Sequence, residues 1–195
     1  MSGVRDLKGA VSWRSIARAR LARSEITLTD AIMRPAPEVR SYEELLGQIG
    51  LIYRTDFVFV RDEDDRICGV VTTADLTSQF QDLATPFFQL GEIERRLRRC
   101  INRVFSPDEL RAVTRRNRLR SAADMTFGQY IQLLNDETRW QRLGSGFPCG
   151  LFIGYLDAAR VVRNKVMHFG EELDPEDKDK LKRCLNCVRV LDPLP

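Results

Sequence analysis

The chain has 195 residues, of which 43% are hydrophobic and 30% charged, and carries a formal net charge of +3. That apolar share can supply a core and excludes wholesale disorder, and no apolar run reaches the ~18 residues that cross a bilayer. The charge is uneven, −4 over residues 1–94, +8 over 95–120 and −1 over 121–195, so the middle segment is the strong candidate for a polyanion footprint.

In chain order, the first feature is a near-repeat. Gly9-Ala10-Val11-Ser12-Trp13-Arg14-Ser15 recurs as Gly69-Val70-Val71-Thr72-Thr73-Ala74-Asp75. Each copy ends a short apolar strand in a hydroxyl residue and then enters a helix-compatible stretch. A hydroxyl there caps the helix or contacts a ligand, and the sequence leaves both open. Ser41 and Glu44 read as a capping box for a helix through Tyr53, with Leu45, Leu46, Ile49 and Ile52 as its apolar stripe. Phe57 to Val60 reads as a strand, Asp62-Glu63-Asp64-Asp65 as a polar turn, Ile67 to Thr72 as a second strand and Thr73 to Phe80 as a helix.

The apolar run at Phe57 to Val60, the acidic turn and Gly-Val-Val-Thr-x-x-Asp at 69–75 together resemble the second repeat of a CBS-domain pair, or Bateman module. The resemblance covers about residues 27–80. It implies a cleft for AMP, ATP or a related adenosine ligand, with Thr72 and Asp75 contacting ribose and phosphate and Asp56, Phe57 and Val58 lining the base pocket. The preceding repeat departs from the pattern. Only its last strand and helix, about Leu7 to Leu21, are present, and Ser15 stands where the second copy has Asp75.

After Pro86 the periodicity changes. Leu90, Ile93, Leu97, Ile101 and Val104 recur at helical spacing, and Arg95, Arg99 and Arg103 line another face. Ser106-Pro107-Asp108-Glu109 reads as a cap and first turn. Further helices are expected over Phe127 to Trp140, Leu156 to Phe169 with Gly170 as terminator, and from Asp174-Pro175-Glu176 onward. Such pieces make a small helical bundle. Cys68, Cys100, Cys149, Cys184 and Cys187 are odd in number, which argues against a disulfide framework, and Cys184 with Cys187 reads as a helix pair rather than a zinc site.

Arg160, Asn164 and His168 recur every four residues on one helical face, with Arg163 beside it and ~7.5 Å from His168 along the axis. The segment Arg163-Asn164-Lys165-Val166-Met167-His168 resembles the Arg-polar-x3-His signature of the HEPN superfamily, over roughly residues 87–192. Many of its members are metal-independent endoribonucleases assembled as homodimers. The resemblance makes His168 the acid/base residue, Arg163 the positive group at the scissile phosphate and Asn164 the residue that orients the histidine or donates a hydrogen bond to phosphate, with no cofactor for catalysis. The chemistry is intelligible by itself: an imidazole exchanges protons near neutrality, a guanidinium offers a fork of donors to phosphate, and RNA brings its own 2′-hydroxyl nucleophile. Arg95, Arg99, Arg115, Arg116, Arg118, Arg120 and Arg160 would draw in the RNA backbone.

The expectation is therefore an α+β chain: a CBS-like β-α-β-β-α unit with a partial preceding repeat over 1–83, then an all-α HEPN-like bundle over 84–195. The combined reading is a cytoplasmic, homodimeric, adenine-nucleotide-regulated ribonuclease of bacterial stress or defence, without membrane contact. The alternative is a nonenzymatic sensor or dimerisation scaffold, with or without nucleic-acid binding.

Overall fold

The computed structural model describes residues 5–168 and 172–192 and is α+β. It divides into two compact units, Met1–Gln81 and Asp82–Pro195.

In the first unit, α1 (Trp13–Ala22) and α2 (Leu28–Ala31) follow hydroxyl N-caps at Ser12 and Thr27. Between them the chain doubles back so that Ala10 and Met33 exchange backbone hydrogen bonds of 3.1 and 2.7 Å. Gly9 enters that bridge at φ +140°, a conformation that side chains disfavour. Strand β1 (Glu38–Arg40) lies parallel to β2 (Phe57–Arg61), with α3 (Leu45–Thr55) as the crossover, and β3 (Ile67–Thr72) returns antiparallel to β2. The order is β1-β2-β3. The acidic turn works as its composition suggests. Asp62 accepts the Arg66 amide on its side chain at 2.8 Å, and Asp65 takes a left-handed φ of 65°. Among the described residues of this unit, Ala10, Ala31, Ile52 and Val58 are the fully buried apolar side chains, while Leu46, Tyr53 and Trp13 stay exposed.

The second unit is helical. It takes the later part of α4 (Thr73–Val104), then α5 (Pro107–Thr114), a 3₁₀ turn at Ala122–Asp124, α6 (Phe127–Leu134), α7 (Glu137–Gln141), α8 (Cys149–His168) and α9 (Pro175–Leu191). One apolar core joins them, including Ile93, Leu97 and Ile101 of α4, Tyr130 and Leu133 of α6, Phe152 and Leu156 of α8, and Leu181 and Val188 of α9. The Ser106–Glu109 capping box forms as expected, with Glu109 accepting the Ser106 amide at 2.9 Å.

Several local expectations are corrected. Pro86 does not separate two helices; it lies buried inside α4. The apolar positions Leu76, Phe80, Leu83, Phe87 and Leu90 keep alternating four- and three-residue spacing through it, with Leu90 buried and Phe80, Leu83 and Phe87 exposed. The Ser41–Glu44 box does not form. The Ser41 amide instead donates to the Arg61 carbonyl at 2.8 Å, extending the β1–β2 edge, and α3 starts from Glu44 without a side-chain cap. The single helix expected over Phe127 to Trp140 breaks after Leu134, because Asp136 accepts the Arg139 amide at 2.9 Å and caps a new one. Helix α8 begins at Cys149, earlier than expected, where Phe152 packs 4.7 Å from the Trp140 ring. Phe169 and Gly170 lie outside the described residues.

Candidate functional site

Helix α8 divides the Arg163–His168 segment between two surroundings. Asn164 and His168 are exposed, on the same side as Gly150, Gly154 and Val161. Arg163, about 100° further round, is half-buried, and its Nε lies 3.7 Å from Glu94 Oε1 of α4. Lys165 leans toward α9, where its Nζ meets the buried Asp177 carboxylate at 2.8 Å. Arg160 pairs with Asp157 at 2.8 Å, within its own helix.

Glu94 belongs to a chain of polar contacts. Its other oxygen, Oε2, accepts from Arg98 Nη2 at 2.6 Å, and Arg98 Nε donates to the Tyr130 hydroxyl at 2.9 Å. Tyr130 then donates to the Ala122 carbonyl at 2.9 Å. Burial pushes the Tyr130 phenol up, which keeps its proton in place as that donor, and the bond to Tyr130 raises the Arg98 guanidinium. Asn102 accepts the Ala122 amide at 2.9 Å, fixing the 3₁₀ turn against α4. Glu94, Arg98 and Asn102 thus form one stripe at four-residue steps, ~12 Å long, with Arg163 at one end and the 3₁₀ turn at the other.

The arginines expected to draw in RNA have unequal freedom. Arg95, Arg115 and Arg118 are exposed and carry no ion pair or hydrogen-bond donation among the described residues. Arg120 is exposed, with its backbone amide bound to Asp124, and Arg116 donates to the Asp124 carbonyl at 3.2 Å. Arg99, although half exposed, is drawn 2.5 Å from Asp192 and serves the α4–α9 junction. Its role in packing was not visible in the arginine periodicity. Glu94, Arg98 and Tyr130 were missed. The available signal was the Glu-to-Arg spacing of four residues at the edge of the basic segment.

In the first unit, the residues assigned to a nucleotide come together at one end of the sheet. Phe57 pairs with Thr72 across β2 and β3, and the Asp56 carbonyl accepts the Thr73 amide at 3.0 Å. Asp56 closes α3 at a left-handed φ of 72° and pairs with Arg14 at 2.8 Å. Val58 is fully buried, backbone and side chain alike, and lines the core. Thr72 and Asp75 are reciprocal caps: Asp75 Oδ2 accepts the Thr72 amide at 2.8 Å and its hydroxyl at 2.7 Å, and Thr72 Oγ1 accepts the Asp75 amide at 3.2 Å. The Thr72 hydroxyl above all, then its amide, holds the Asp75 carboxyl below the usual range.

A cavity of about 390 Å³ lies between α8 and α9, where Gly150, Gly154 and Ala158 face Lys180 and Arg183; none of the expected site residues lines it. No helix among the described residues is long and apolar enough to cross a membrane, and no three His, Cys, Asp or Glu side chains among them gather as metal ligands. Comparison with protein-family models, curated proteins and solved structures finds no match for this chain.

Proposed function

We propose that the chain is an RNA-cleaving protein of the HEPN type whose first unit senses an adenosine nucleotide. The observation that carries the reading is the Arg163–Glu94 contact on the helix of an exposed His168: a guanidinium anchored from behind stands ~7.5 Å along the axis from an imidazole open to solvent. The β-α-β-β-α order of the first unit, with β1 parallel and β3 antiparallel to β2, supports the CBS-like half of the reading.

In the proposed reaction His168 takes the proton of an RNA 2′-hydroxyl. The 2′-oxygen bonds to phosphorus, the P–O5′ bond breaks, and the 5′-oxygen leaves with a proton, giving a 2′,3′-cyclic phosphate and a 5′-hydroxyl. Arg163 offsets the charge growing on phosphorus. The chain has a single His, so a second copy supplies the His168 that protonates the leaving oxygen, and a two-fold homodimer serves the chemistry. Arg95, Arg115 and Arg118 attract the backbone at longer range.

The test is cleavage of a panel of single-stranded oligoribonucleotides by wild type and by His168→Ala, with products resolved for cyclic phosphate ends. Cleavage is expected to fall at least ~100-fold in the variant, and equal rates in two folded proteins reject the reading. AMP and ATP binding, followed by calorimetry, is expected to weaken in Thr72→Ala and Asp75→Ala. A scaffold without cleavage is the second reading. It is favoured by the ion pair that already engages Arg160 with Asp157.

A further inference from the structure

The Arg163 guanidinium meets its carboxylate by one edge. Nε is enclosed and makes no hydrogen bond, yet the side chain as a whole is 36% exposed. Its terminal nitrogens make no hydrogen bond among the described residues. At 3.7 Å the Glu94 contact is ionic rather than a hydrogen bond. It therefore sets which edge of the fork faces inward without using up a donor. Glu94 is itself held from its far side: Arg98 binds its second oxygen at 2.6 Å, and Arg98 is anchored in turn on Tyr130. A carboxylate fixed in this way cannot follow Arg163 outward. It also screens two guanidiniums that would otherwise repel each other, and the three groups together keep one net positive charge for an incoming anion.

We infer that Glu94 is the positioning residue of Arg163, with Arg98 as the anchor of Glu94, and that the cluster presents the terminal N–H groups of Arg163 to a phosphodiester. The inference rests on the RNA-cleaving reading of the Arg163–His168 segment and names the groups that prepare it. Orientation of a donor toward developing charge acts on kcat, because the ground-state phosphate tolerates small misplacements that the transition state does not.

The experiment compares full-length wild type, Glu94→Gln, Glu94→Asp, Arg98→Lys and His168→Ala on one fluorescent single-stranded oligoribonucleotide, with thermal midpoints measured alongside. Glu94→Gln is expected to lower kcat about 10- to 100-fold with KM changed less than about threefold, and Glu94→Asp to recover most of the loss. Arg98→Lys loses the Tyr130 anchor and is expected to show a smaller fall in kcat. It carries the test if Glu94→Gln does not fold. In Arg163→Ala, added guanidinium ion is expected to restore part of the rate, and that rescue is expected to vanish when Glu94→Gln is combined with it. A role limited to tying α4 to α8 would not move that rescue. A wild-type kcat in folded Glu94→Gln, or equal guanidinium rescue with and without Glu94, overturns the positioning role while His168 dependence keeps the cleavage reading standing. Equal rates in wild type and His168→Ala remove the cleavage reading and this inference with it.

Discussion

Replacing Glu92 by Gln should produce a stability loss that disappears in acid. Glu92 of α4 accepts from Arg96 Nε at 2.9 Å and from Arg189 of α9 through both oxygens, at 3.0 and 2.9 Å. The Arg189 bonds above all, opposed by burial and helped by Arg96, hold its carboxyl at about 2. A displacement of that size from the ordinary carboxylate value corresponds to at most ~3 kcal/mol. Arg189 is half exposed, so solvent screening brings the expected contribution to about 1–2 kcal/mol. The sign follows from linkage: the folded-state pKa lies below the unfolded one, so the stabilisation is complete above about pH 5 and is lost as pH falls toward 2. Urea unfolding of wild type and Glu92→Gln at pH 7, 4 and 2.5 measures the gap between them directly. The gap should be widest at pH 7 and nearly closed at pH 2.5. A gap that stays constant across that range would falsify the claim that ionised Glu92 joins α4 to α9.

Two further substitutions probe the other unit and the site scaffold. Gly9→Ala places a Cβ 2.7 Å from Ile32 Cγ1 and 2.8 Å from the Met33 carbonyl, at φ +140°; a loss of ~2 kcal/mol or more is expected, read as faster amide exchange at Ala10 and Met33, and unchanged protection there would contradict the reading. Tyr130→Phe strips a buried hydroxyl from between Arg98 and the Ala122 carbonyl; ~1–2 kcal/mol should be lost, with RNA cleavage reduced through Arg98, and a thermal midpoint matching wild type would count against the polar chain.

What the sequence disclosed was local. The strands Phe57–Arg61 and Ile67–Thr72, the acidic turn and the Ser106 cap depend on neighbours in the chain, so propensity and turn chemistry specify them. Pro86 misled because its missing N–H reads locally as a helix boundary, whereas α4 runs on through it with Pro86 itself buried. Arg163 and His168 were legible as a motif, but Glu94 lies far away in sequence and only the packing of α4 against α8 makes it a partner. The arginine face was misread for a similar reason. Periodicity placed Arg95 and Arg99 together, yet Arg99 is committed to Asp192, whereas Arg98, one residue away, meets the carboxylate that Arg163 shares.

The hydroxyl at each strand-to-helix junction admits one more step. Ser12 with Ser15 and Thr72 with Asp75 both close capping boxes, so the near-repeat is first a repeat of helix starts. Capping does not exhaust the second pair. Asp75 Oδ2 takes both bonds from Thr72, and Oδ1 has no hydrogen-bond partner among the described residues. In the proposed sensor a ribose hydroxyl would therefore approach Asp75 through Oδ1 and leave the cap intact. A ligand that had to displace Thr72 would instead uncap α4 at a cost of ~1 kcal/mol. The first copy has Ser15 in place of that carboxylate and offers no second oxygen. The two copies thus share a structural role, while only the second carries a carboxylate oxygen beyond those its cap uses.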